Sequence, residues 1–137
     1  MSARTKARKR ALDLLYSADM RGIALSDALS EEAARAARQP DRGASWAYAA
    51  QIAQGVVEHG DEVDELITTY SRDWPLDRMP AVDRAVLRVA TWEVAFNPEV
   101  PAAVAISEAV EQAQALSTED SARFVNGVLG RIAASLG

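Results

Sequence analysis

The chain has no cysteine, a single histidine (His59) and few aromatic side chains, 6% of its residues. The first absence removes disulfide frameworks, thiolate metal sites and thiol nucleophiles together. The second leaves little room for imidazole chemistry, whether proton transfer or metal ligation. No apolar run approaches the roughly 18 residues that a membrane span requires. The basic start is not followed by an apolar h-region, so it is no secretory signal, and the expected compartment is the cytoplasm. Glycine-rich phosphate loops, zincin helices and nucleophile elbows are missing as well. No catalytic residue, cofactor or metal ligand is assigned. The acids Glu58, Asp61, Glu62, Asp64 and Glu65 read as a solvated helix start, where the positive end of the helix dipole favours them.

What the chain does have is an uneven distribution of charge. It carries 15 basic and 20 acidic side chains, a net charge of −5. Arg4, Lys6, Arg8, Lys9 and Arg10 place five of the cations, and no acid, in the first ten residues. Subtracting them leaves 10 basic against 20 acidic side chains, a balance of −10 for the remainder. An acidic body with a basic tip attracts a polyanion at the tip only. Nucleic acid bound at one end is therefore the first functional expectation. Cations at a helix start also oppose the helix dipole, by about 0.3–1 kcal/mol, and phosphate oxygens would offset that.

The apolar pattern has helical period almost throughout, in seven segments. The first spans about residues 3–21, with Ala7, Ala11, Leu14, Leu15 and Ala18 as its stripe and Gly22 closing it. Ser26 or Ser30 is the expected cap of the second, which stops before Pro40. Ser45 opens the third and Asp61 caps the fourth. Residues 71–75 read as a turn. The fifth begins at Asp77, tolerates Pro80 in its first turn and ends at Asn97-Pro98; it is apolar over most of its circumference and so is expected to be central. Pro101 starts the sixth, and the run Ser117-Thr118-Glu119-Asp120 caps the seventh. Asn126-Gly127 resembles a hairpin turn, but the helical stripe runs straight through it, so Gly127 is expected where another backbone comes close. The expectation is an all-α fold in one domain, 1–137, long enough to bury about two thirds of its unfolded surface.

Several side chains are not needed by this fold. Tyr16 and Met20 lie four residues apart on the face of the first helix away from its stripe, as protein-binding side chains do. Arg4 and Arg8 lie near the stripe itself, which suggests that the first turns project past the bundle. Phe124, beside Arg123, is placed to stack on an unpaired base.

The run from Asp77 to Ala90, DRMPAVDRAVLRVA, resembles the central helix of the NusB family. Val100-Pro101 followed by Ala105-Ile106-Ser107-Glu108-Ala109-Val110-Glu111 is similar too, as are residues 117–121 with Phe124-Val125-Asn126-Gly127-Val128-Leu129. Residues 7–16 look like the family's basic first helix. The resemblance covers nearly the whole chain, is strong from about residue 64 and weak over 22–60. It implies two small helical bundles and a non-enzymatic transcription antitermination factor. Such a factor binds boxA-type RNA together with a small-subunit ribosomal protein, NusE, and acts on transcribing RNA polymerase, notably on ribosomal RNA operons. By position, the resemblance implies RNA contacts at Arg4, Lys6, Arg8, Lys9, Arg10, Asp120 and Phe124, and protein contacts at Tyr16, Met20, Asp77 and Asp83. The region around Ser71 departs from some members in length, and no contact is assigned there.

Two other classes compete. Ribosomal RNA cytosine methyltransferases carry a NusB-like domain, but this chain stops at Gly137 and has no cysteine to attack a pyrimidine. A helical protein-interaction or self-association module, without direct RNA binding, is the alternative; the sequence leaves monomer and homodimer open.

Overall fold

A computed structural model describes residues 2–39, 43–72 and 74–137. The described residues form seven α-helices: α1 (Ala3–Arg21), α2 (Leu25–Ala36), α3 (Gly43–Glu58), α4 (Gly60–Ser71), α5 (Ala81–Phe96), α6 (Ala102–Leu116) and α7 (Glu119–Leu136). A 3₁₀ turn, Leu76–Arg78, precedes α5. The all-α expectation holds.

Helix α5 is the shared wall of the molecule. On one side α1, α2 and α3 pack together, and α1 and α3 lean on α5; on the other, α4, α6 and α7 surround it. Its buried side chains include Ala85, Val86, Leu87, Val89, Ala90 and Trp92, spread around the helix as its composition requires. One core cluster runs through α1, α3, α4, α5, α6 and α7, from Ala7 and Ile52 to Leu129 and Ile132. A smaller one, Leu14, Ala18, Ala28 and Ala53, seats α2. No helix of the described residues is long and apolar enough to cross a membrane.

The helix ends show where local chemistry decides. Ser2 accepts from the Thr5 amide at 3.0 Å and caps α1. Gly22 closes α1 at φ 67°, a left-handed conformation that suits glycine. Thr118 accepts from the Ser121 amide at 3.0 Å and caps α7.

Three expected boundaries need correction. Helix α2 is entered from Ala24, with no side-chain cap, so Ser26 and Ser30 lie inside it and exposed. Leu25 and Ile23 pack on the small cluster, and this apolar contact draws the helix start upstream. Pro40, its expected stop, lies outside the described residues. Helix α4 follows α3 directly with His59, not Asp61, at the junction. The His59 ring stacks on Phe96, 4.0 Å between centroids, and its Nδ1 lies 2.9 Å from Glu62. Asp77 does not start α5; it sits in the 3₁₀ turn, and Pro80 is the entry residue of the helix. Proline forces the residue before it, Met79, into extended backbone (φ −70°, ψ 148°), which breaks the helix there.

The close-approach glycine is also not the expected one. A Cβ on Gly127 would meet only the Arg131 guanidinium, at 3.4 Å. A Cβ on Gly55 would lie 2.0 Å from Trp92 Nε1, so Gly55 is what lets α3 press against α5.

Candidate nucleic-acid and partner interface

The basic tip is about the first two turns of α1, and its cations divide into two groups. Lys6 is exposed and makes no ion pair among the described residues. Lys9 is exposed and pairs with Asp13 at 2.8 Å, one turn on. Arg4 lies 3.6 Å from Glu99 and stacks over the Tyr48 ring, 4.4 Å from its centroid. Arg10 is half-buried; it donates to Ser45 Oγ at 2.9 Å and lies 5.2 Å over the Trp46 ring.

Arg8 belongs to the interior. Only 3% of it is exposed. Its Nε donates to both Glu93 oxygens, at 2.8 and 3.1 Å, and Nη1 lies 3.3 Å from Glu108. Tyr48 donates its hydroxyl hydrogen to Glu93, Asn97 donates to the Tyr48 hydroxyl at 3.1 Å, and Thr5 donates to Glu108 at 2.8 Å. Burial works against the Arg8 charge. The hydrogen bond to Glu93 and the charges of Glu93, Tyr48 and Glu108 outweigh it, and the guanidinium pKa is raised. Burial, then the bond to Glu93 and that carboxylate's charge, push the Tyr48 phenol above its ordinary value.

The expectation that Arg4 and Arg8 both project past the bundle is therefore corrected for Arg8. A charge on an apolar stripe can mark an exposed helix end or an acid waiting on the facing helix. Here Glu93, on the inner side of α5, is that acid. Arg8 anchors α1 and is not available on the surface as a phosphate contact.

On α7, Asp120 is exposed and paired with Arg123. Phe124 is half-buried, packed edge-on against Trp74 with centroids 4.7 Å apart. Helix α6 links the two places, since Glu108 touches α1 while the rest of α6 packs along α7.

The residues expected to contact a protein also divide. Tyr16 and Met20 are exposed, at 37% and 62%, and Asp77 is exposed on its turn. Asp83 is fully buried, accepting from Ser121 Oγ at 2.7 Å. The expected surface contact at Asp83 is corrected: one turn into α5 it faces α7, and it ties those two helix starts together.

The family model of the NusB family matches residues 5–134. The chain belongs to the NusB family. The transcription antitermination protein NusB of Clavibacter sepedonicus is 64% identical over 135 residues, covering 98% of each chain. Among solved structures, NusB of T. maritima superposes with a TM-score of 0.81 at 34% identity, over 98% of this chain and 92% of that one. A chain in the crystal structure of antitermination factors NusB and NusE in complex with dsRNA superposes with a TM-score of 0.82 at 27% identity, over 98% of both.

In this NusB-family chain the structure adds residues that the sequence reading missed: Tyr48 and Glu93 beneath Arg4 and Arg8, Ser45 and Trp46 beside Arg10, and Trp74 against Phe124. Glu93 carried a signal, an acid spaced with Val86, Val89 and Ala90 on an apolar face. Tyr48 and Trp46 carried none, because which aromatic meets which cation depends on how α3 docks.

Proposed function

We propose that this chain is a non-enzymatic transcription antitermination factor. It binds boxA-type RNA with NusE and acts in the cytoplasm on transcribing RNA polymerase, notably on ribosomal RNA operons. Residues 1–137 serve as one RNA-binding domain. The observation that carries the reading is the exposed cationic start of α1 on an otherwise acidic chain. Family membership and the NusB–NusE–dsRNA relative support it. The proposed RNA set is Arg4, Lys6, Lys9 and Arg10, with Asp120 and Phe124; Arg8 holds the set in place. The proposed NusE set is Tyr16, Met20 and Asp77.

The division of labour is physical. Cations give sequence-independent attraction to phosphate, and an aromatic ring with a few polar groups reads unstacked bases. Acidic Asp77 suits a basic ribosomal protein, steering the approach by charge. Four phosphate contacts give a slope of log affinity on log salt of about −2.8 for single-stranded RNA.

The test is RNA titration with a boxA-type oligomer, a scrambled control and a duplex, with and without NusE. Replacing Lys6, Lys9 and Arg10 together with Ala should weaken binding and flatten the salt slope. Unchanged affinity in that triple variant refutes the assignment of the tip. Sedimentation of Tyr16→Asp separates the alternative: a self-associating module using this face dissociates, whereas a NusE-binding monomer sediments unchanged.

A further inference from the structure

Arg84 sits where the two parts of the proposed protein-docking face meet. Its Nε and Nη2 both donate to Asp19 Oδ2, at 2.9 and 2.8 Å. Its Nη1 donates to the backbone carbonyls of Leu76 and Met79, at 3.1 and 3.0 Å. One planar guanidinium therefore ties α5 to α1 and to the 3₁₀ turn at once. Asp19 lies on α1 between Tyr16 and Met20, and Leu76 and Met79 bracket Asp77. An open groove of about 550 Å³ lies along this junction, lined by Asp19, Leu76, Asp77, Arg84 and Arg88 among others.

The turn is only three residues long, closed by the Met79 amide donating to the Leu76 carbonyl at 3.3 Å. Arg84 adds a second donor to that carbonyl and donates to the carbonyl of Met79, the residue that leads out of the turn. Arginine can serve a carboxylate and two carbonyls in one fork; lysine, a point donor on a flexible stem, cannot hold all three in one plane.

We propose that Arg84 is the positioning residue of the protein-docking face. It sets Asp77 at a fixed place beside Tyr16 and Met20, so that a basic protein meets an acid and two apolar anchors in one arrangement. This rests on the reading of Tyr16, Met20 and Asp77 as the NusE contacts. Arg84 itself need not touch the partner: its side chain is only 16% exposed and already committed to Asp19.

The experiment measures NusE affinity by calorimetry and RNA affinity in the absence of NusE, for wild type, Arg84→Met, Arg84→Lys, Asp19→Asn and Tyr16→Asp. Arg84→Met should weaken NusE binding about tenfold and leave RNA affinity unchanged. Arg84→Lys should recover only part of the loss, and Asp19→Asn should fall between it and wild type. Wild-type NusE affinity in Arg84→Met, with binding abolished by Tyr16→Asp, overturns this inference and spares the docking face. Wild-type NusE affinity in Tyr16→Asp overturns the docking face itself. A parallel loss of RNA and NusE binding in Arg84→Met reduces Arg84 to a structural role and also overturns the inference. If Arg84→Met does not fold, Arg84→Lys and Asp19→Asn decide by the same comparison.

Discussion

Helices α1 and α5 are joined twice by ion pairs, and the two joints are mirror opposites. Near the start of α1 the cation comes from α1 and the acid from α5, Arg8 to Glu93; near its end the acid comes from α1 and the cation from α5, Asp19 to Arg84. The pairing order, residue 8 with 93 and 19 with 84, makes the helices antiparallel and sets the joints about 16 Å apart along α1. They differ in depth. The first pair is 4% and 1% exposed, the second 16% and 32%. A buried pair contributes little net stability when intact, yet leaves a stranded charge when one partner goes; a wet pair also contributes little, but strands no charge when it is broken. The deep joint therefore fixes the fold under the cationic tip. The shallow joint fixes the pose of a surface.

The deep joint is the more sensitive of the two. Arg8→Met should cost about 3–5 kcal/mol in urea denaturation, because Glu93 is left buried beside Tyr48 alone. A loss near zero would place Arg8 outside the core and return it to the surface set.

Tyr48→Phe should cost about 1.5–3 kcal/mol at neutral pH, the scale of a hydrogen bond to a charged group. It also carries a pH signature. The folded phenol's pKa lies above its unfolded value of 10.0, so Tyr48's contribution is complete below pH 10 and is lost as pH rises further. The gap between wild type and Tyr48→Phe should thus narrow above pH 10. A gap that stays constant there would remove the phenol from the buried network.

Gly55→Ala tests whether the α3–α5 contact is as unforgiving as the buried ion pair. The added methyl collides with Trp92, and overpacking of this kind costs about 1–3 kcal/mol. Thermal unfolding that matches wild type would mean that the ring moves aside freely.

The smallest effect belongs to the shallow joint. Arg84→Met should lower stability by only about 1 kcal/mol, since water replaces much of what the side chain supplied. A loss as large as that of Arg8→Met would erase the distinction between the joints.

Much of this architecture was legible from residue order. The helical period of seven segments, the glycine closing α1, a cap for α7 within residues 117–120 and the apolar girth of α5 are local properties, set by side chains within a turn or two of each other. The cationic tip and the off-stripe Tyr16 and Met20 were legible for the same reason. Helix starts were read less well wherever the chain was pulled by something distant, as Leu25 is by the small cluster of α1, α2 and α3.

What residue order could not supply was the partner of each charge. Arg8 and Lys6 are two residues apart in one cationic run, and nothing local says that one enters the core while the other meets solvent. The choice is made by Glu93, 85 residues away, once α5 lies against α1. Asp77 and Asp83 are likewise both acids in one short stretch, yet Ser121 and the packing of α7 take Asp83 inside and leave Asp77 outside. The sequence by itself determined the helices, their apolar faces and the net sign of each end, because those depend on near neighbours and on summed charge. Only the tertiary structure decided which cations stay at the surface, because desolvating a charge is tolerable only where a far-off partner of opposite sign has been packed beside it.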